Sequence, residues 1–173
     1  SRSYSEGQSM GVAGLTRNWI AEKSHGLIAL SGGREGDVGK ALLAGNLEEA
    51  KRLASRWQEI FPDAFYIELH RTGRASEEDY NVLAVNLAIE LGCPVVATND
   101  VRFLAQEEFE AHEVRVCIYD SRTLDDPRRE RRYSDQQYLK TAQEMVELFA
   151  DIPEALENSV EIAKRCNVSL DLG

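Results

Sequence analysis

Two acidic side chains stand where a strand pattern gives way to a loop. Glu68 closes Phe65-Tyr66-Ile67-Glu68-Leu69, and Asp100 follows Pro94-Val95-Val96-Ala97-Thr98. Carboxylates at strand ends can ligate a metal or act as a general acid/base pair. They can equally be held by cationic neighbours, and Arg71, Arg74 and Arg102 lie close in sequence. Spacing leaves both readings open. The histidines, His25, His70 and His112, are dispersed, with neither H-x-H nor H-E-x-x-H present. His70 follows a strand and could face the same site, whereas His112 falls within an amphipathic helix, in a surface or partly packed role. A metal centre needs several convergent donors, so no single histidine makes one. The stretch Ser31-Gly32-Gly33-Arg34-Glu35-Gly36-Asp37 lies between a strand and a helix, where backbone N–H groups can cradle phosphate. No Lys-Ser/Thr pair follows and G-x-G-x-x-G is not met, which favours a turn with special backbone angles. The basic run Arg128-Arg129-Glu130-Arg131-Arg132 is flanked by Asp125-Asp126, so it reads as solvated or paired within the molecule.

The elements that must position these groups alternate in type. Residues 1–14 are polar, with Gly7, Gly11 and Gly14 as breakers and no initiating Met, the character of a piece of a longer polypeptide. A short helix is predicted over residues 15–23. The apolar run Gly26-Leu27-Ile28-Ala29-Leu30 fits a strand covered on both faces of a parallel sheet. Asn46 then caps a helix with Leu47, Ala50, Leu53, Ala54, Trp57 and Ile60 at helical spacing. After the second strand, Ser76-Glu77-Glu78-Asp79 resembles a capping box ahead of the stripe Tyr80, Leu83, Ala84, Leu87 and Leu91, stopped by Gly92. Strand–helix–strand–helix–strand with short links predicts an α/β fold built on a parallel sheet, with its site at the carboxyl ends of the strands. Past Arg102 a helix over residues 107–118 is expected to turn Ala111, Val114 and Ile118 inward. Two more helices follow, residues 141–150 capped by Thr141 and residues 153–166 opened by Pro153. No strand is evident in that tail.

Composition sets limits. A chain of 173 residues, 43% hydrophobic, is long enough for one sizeable core. Its net charge of −10, from 20 basic and 30 acidic residues, argues against this segment as the main grip on nucleic acid. Cys93, Cys117 and Cys166 form no C-x-x-C pair and read as buried free thiols. The absence of a long apolar run excludes a membrane span and points to a soluble, cytoplasmic protein.

Over these same segments the sequence resembles the PHP (polymerase and histidinol phosphatase) domain of bacterial replicative DNA polymerase III α subunits, of the proteobacterial type. The resemblance rests on residues 26–33 with Gly36-Asp37-Val38-Gly39, on Ile67-Glu68-Leu69 ahead of Arg71-Thr72-Gly73-Arg74, and on residues 94–103, 150–156 and 160–167. It covers nearly everything from Trp19 onward. It implies part of a distorted, TIM-like (β/α)7 barrel followed by a helical connector. Residues 1–120 would be the later part of the PHP domain, and residues 121–173 its end and the link toward the polymerase palm. The family's H-x-H strands would precede Ser1 and the palm aspartates, with their Mg2+, would follow Gly173. No catalytic residue, metal or cofactor is then expected in this chain.

The resemblance also speaks to the site. Metal-binding members carry Cys where this chain has Gly33, His where it has Thr72, and N-D-x-H where it has Asn99-Asp100-Val101-Arg102. Glu68 and Asp100 stay acidic, while three donors become Gly, Thr and a permanently charged Arg. The positions Gly33, Glu68, Thr72, Asp100 and Arg102 are therefore expected to be a vestigial site, with Arg102 pairing Asp100. The implied role is a non-catalytic scaffold that docks the proofreading exonuclease and other replicase subunits and braces the polymerase, while DNA is contacted by other domains. The alternatives are an active metal-dependent phosphoesterase of the PHP superfamily, and a free-standing α/β module that binds a phosphorylated metabolite at Gly32 to Gly36.

Overall fold

The computed structural model of the chain describes residues 2–9 and 12–169. In chain order the elements are α1 (Arg2–Ser5), the hairpin strands β1 (Gln8–Ser9) and β2 (Val12–Ala13), α2 (Arg17–Glu22), β3 (Ala29–Leu30), α3 (Asp37–Leu43), α4 (Leu47–Ile60), β4 (Phe65–His70), α5 (Glu77–Leu91), β5 (Val95–Thr98), α6 (Phe109–Tyr119), α7 (Ala142–Leu148) and α8 (Pro153–Arg165). The expected strand–helix alternation therefore holds, and the fold is α/β. Helix α3 has no counterpart in the sequence reading.

The sheet is built around β4, which lies between β3 and β5 with both pairings parallel. The register sets Ala29 beside Phe65 and His70 beside Thr98, so the last residues of β4 and β5 end level with one another. Phe65, Tyr66, Ile67 and Leu69 of β4 are buried, as a strand covered on both faces requires. The core adds Val38 and Leu42 from α3, Leu53 from α4, Tyr80 and Leu87 from α5, Phe149 just past α7, and Ala155 from α8. Helix α8 lies on β5, where Asn158 Nδ2 donates to the Val95 carbonyl at 2.8 Å.

Several expectations are corrected. Strand β3 is two residues long, Ala29–Leu30, and is not covered on both faces: Leu30 is exposed, as is Leu27 ahead of it, and among the described residues β3 is an edge strand. Ser76 does not cap α5: it adopts φ +59° with no side-chain cap, while Glu77 folds back onto Thr72. Thr16, Asn46 and Thr141 do accept from the first turns of their helices, Thr141 in a full capping box with Glu144. Helix α6 turns Glu113 and Cys117 inward, leaving Ala111, Val114 and Ile118 exposed. Its buried stripe is chosen by the Glu113–Arg129 ion pair and by His112 packing on Phe103 and Tyr133, a tertiary preference that no helical period encodes. Cys93 and Cys117 are buried thiols, but Cys166 is exposed.

The tail approaches the sheet more closely than its helical pattern suggests. Among the described residues no regular strand follows β5, yet Phe103 bridges Tyr138 in parallel. Arg102 N donates to Gln137 O at 2.8 Å, Leu139 N to Phe103 O at 3.1 Å, and Asn99 Nδ2 to Tyr138 O at 2.6 Å. Residues 134–139 thus lie against the segment leaving β5, which sets one wall of the site.

Candidate functional site

A small cavity of about 180 Å³ opens at the carboxyl ends of β4 and β5, lined by Gly32, Glu35, Glu68, His70, Arg74, Asp100 and Arg102. Both strand-end carboxylates reach it. Glu68 accepts from Thr98 Oγ1 at 2.6 Å and lies 3.3 Å from His70 Nε2. Burial opposes its charge, but hydrogen bonds from His70 and Thr98 outweigh that cost, so the carboxyl sits below the usual range. Tyr80 OH donates to the Glu68 carbonyl, and the Glu68 N–H donates to Ser31 Oγ, which fixes the backbone beneath it.

Asp100 sits in the left-handed region, at φ +42°, which few side chains tolerate and Asp tolerates better than most. Its Oδ1 is 2.8 Å from Arg102 Nη2, and its Oδ2 is 3.1 Å from Arg74 Nη1 and 2.9 Å from Gln137 Nε2. Arg74 is the hub: its side chain is 4% exposed, and it also meets Glu35 at 3.1 Å, Glu77 at 3.4 Å and the Thr72 hydroxyl at 2.9 Å. Thr72, fully buried, donates its hydroxyl to Glu77 and takes no part in the cavity. Ser134 Oγ donates to the Thr72 carbonyl, so the 134–139 segment clasps both strand ends.

The Gly-rich turn is packed rather than cradling. Gly32 and Gly33 both have positive φ, and a Cβ at Gly36 would lie 1.8 Å from the Ser31 carbonyl oxygen. A Cβ at Gly33 would come within 2.6 Å of the His70 ring, so the imidazole fills the space above that glycine. Asp37 opens α3 with its own carboxylate accepting from the Val38 N–H and from Trp57 Nε1.

Sequence comparison finds relatives along the whole chain. The PHP domain pattern matches residues 1–72. The DNA polymerase III subunit alpha of Pseudomonas aeruginosa is 57% identical over 173 residues, which is 100% of this chain and 15% of the relative. That of Escherichia coli (strain K12) is 55% identical over 175 residues, and that of Vibrio cholerae 53% over 173, with the same two coverages. Over its whole length the chain is thus similar to one part of DNA polymerase III alpha subunits. It spans 15% of the length of these relatives. Gly33, Glu68 and Thr72 fall inside the PHP match, and Asp100 and Arg102 beyond it.

A PHP site raises the question of a metal, and the residues present do not fit a divalent cation. Arg74 and Arg102 cover both oxygens of Asp100, and a guanidinium keeps its charge at any working pH. Thr72 is committed to Glu77, Gly33 offers no donor atom, and Glu68 and His70 are bonded to one another. Among the described residues no group of three or more His, Cys, Asp or Glu is placed to hold a metal.

The other candidates lie elsewhere. Arg71 leaves the site: it donates to Asp151 at 2.5 and 2.8 Å and to the Leu148 carbonyl at 2.7 Å, with its guanidinium over Phe149. The basic run is largely consumed within the molecule, Arg128 by Asp126, Arg129 by Glu113 and Arg132 by Asp120. His112 is partly packed among aromatic rings, as its place in the helix suggested, and His25 is exposed. Glu35, Glu77, Ser134 and Gln137 carry the network and were missed. Glu77 was disguised by the capping pattern, and no local signal marks the other three. No helix among the described residues is long and apolar enough to cross a membrane.

Proposed function

We propose that this segment is a metal-free, non-catalytic PHP scaffold within a replicative DNA polymerase III α subunit. The observation that carries the reading is the double capping of Asp100 by Arg74 and Arg102, which puts two fixed cations where a catalytic metal would need lone pairs. DNA-templated DNA synthesis, with its Mg2+, belongs to the palm of the whole polypeptide, and this segment alone is inactive. The three-stranded sheet is an arc of the (β/α)7 barrel, with residues 1–120 in the PHP domain and 121–173 completing it and leading toward the palm. The acidic net charge and internally paired arginines support a role through protein contacts, with DNA held by other domains. The scaffold docks the proofreading exonuclease, joins the other replicase subunits, and works in the cytoplasm.

The test is capture of the exonuclease subunit's C-terminal segment by the intact α subunit at low salt. Retention is expected, and failure to bind removes the docking role. Elemental analysis of the same preparation separates this reading from a metal-dependent phosphoesterase. Zinc, manganese or iron at the PHP site, together with chelator-sensitive phosphate ester hydrolysis, would establish the phosphoesterase instead.

A further inference from the structure

Residues 120–139 form a strap that is irregular in backbone and held by side chains along its length. Arg122 and Arg128 both meet Asp126, which folds the first part on itself. Arg129 then pairs with Glu113 and Arg132 with Asp120, laying the strap along α6. At its far end Ser134 reaches the Thr72 carbonyl and Gln137 reaches Asp100. Tyr133 stands between these ties, and its ring is held by packing. It meets the His112 ring of α6 edge-on, with centroids 4.7 Å apart. His112 in turn lies 5.5 Å from Phe103, so one imidazole joins the strap, the helix and the segment leaving β5.

That imidazole is placed to be neutral. Its Nε2 is buried and has no hydrogen-bond partner among the described residues. A proton there would bring a charge with neither an acceptor nor bulk water to meet it. On the same helix Glu113 favours the charge but is shared with Arg129, while Arg115 opposes it. Glu108, one turn back, is spent on the Leu104 and Ala105 N–H groups. From the segment leaving β5, Arg102 opposes the charge. The strap presents Tyr133, with the Arg102 and Arg132 guanidinium groups over its ring at 5.4 and 6.0 Å. Burial, aided by Arg102 and Arg115 against Glu113, holds the imidazole below its ordinary range.

We propose that His112 is a proton-operated switch for this strap. Neutral, it anchors Tyr133 and with it residues 120–139. Charged, it lets the strap lift from α6, which parts Ser134 from Thr72 and Gln137 from Asp100 and admits water to the carboxyl end of the sheet. A caged imidazole that lies below its free value of about 6.5 takes up a proton on release, so acid favours opening. The closed strap is favoured in full above that value and loses ground as the pH falls below it.

Amide exchange in the full-length polypeptide, read by mass spectrometry, tests the switch at Leu139, whose N–H donates to the Phe103 carbonyl. Corrected for the intrinsic rate, protection there should fall about fivefold or more from pH 7.5 to pH 5, and one free imidazole sets a ceiling of about thirtyfold. The Ile67 amide of β4, bonded to Pro94 O, should not follow it. His112→Phe keeps an aromatic ring in the stack without its proton, and there the fall at Leu139 should be less than about twofold. An equal fall in both proteins, or none with His112 present, overturns the proposal. Exchange at the His112 Cε1–H in the unaltered protein needs no variant. Its midpoint should lie below about 6.5, and one at or above that value overturns the proposal as well.

Discussion

The two ends of one three-stranded sheet have been finished in opposite ways. At the carboxyl end, acids, arginines and a histidine meet in a small cavity and satisfy one another. At the amino end, aliphatic side chains line a wide groove that the described residues leave open. A crowded charged end is not by itself an active site. Chemistry needs lone pairs or protons left free for a substrate, and here the strand-end carboxylates are spent on neighbours. The open end, which holds no catalytic pattern, is the one with surface still to bury.

The comparison can be broken most forcefully at Arg74. Arg74→Met removes the cation beside Glu77, itself 3% exposed, and beside one oxygen of Asp100. Removing one partner of a buried ion network costs about 3–5 kcal/mol. Urea unfolding of the α subunit should show a loss of that size in the transition that reports this domain. A loss below about 1 kcal/mol would mean that the carboxyl end is solvated like any surface.

Gly33→Ala comes next. It places a Cβ against the His70 ring on a backbone at φ +57°, and overpacking together with left-handed strain costs about 2–4 kcal/mol. His70→Ala in the same molecule should relieve the collision but not the strain, so the double-mutant cycle is expected to show a favourable coupling. Strict additivity would place the imidazole elsewhere.

Thr98→Val sharpens the electrostatic side. The folded Glu68 carboxyl lies below its ordinary value, so it contributes stability above about pH 4.3 that is lost as the pH falls through the depressed folded value. Deleting the Thr98 hydroxyl moves the folded value back toward the unfolded one and flattens that acid decline. It also removes a hydrogen bond to a charged group, about 1.5–3 kcal/mol at neutral pH. Melting temperatures from pH 6 to 3 for both proteins provide the check, and parallel curves would contradict it.

Arg102→Gln should be the mildest change. Its side chain is 39% exposed, and a pair of that kind contributes less than about 1 kcal/mol. A larger effect in the same unfolding assay would make Arg102, and not Arg74, the hub.

The sequence displayed the periodic part of this molecule well. Strands β4 and β5 and helices α4, α5 and α8 follow apolar spacing, and the Asn46 and Thr141 caps are local chemistry. Glu68 and Asp100 were visible for the same reason, since they lie within two residues of the ends of strands whose apolar pattern is plain. What stayed hidden was decided across long gaps. Arg74 and Arg102 turn to Asp100 while Arg71 goes to Asp151, a division that spacing could not make. Gln137 is fully buried, yet its sequence neighbourhood reads as a polar loop. The inward face of α6 was misread because a charged residue, Glu113, is buried by its ion pair with Arg129.

The Ser134–Gln137 clasp has a kinetic meaning. Ser134 reaches Thr72 across 62 positions, Gln137 reaches Asp100 across 37, and Arg71 reaches Asp151 across 80. The β4–β5 ladder closes over a shorter gap, with Ile67 beside Val95. Contacts at the longer separations are disfavoured early, since loop closure precedes their reward. The clasp is therefore a late event in folding and an early one in unfolding. Weakening it should leave the folding rate nearly unchanged and shorten the lifetime of the folded state. What stands at the mouth of the sheet is a latch that sets how long the fold endures.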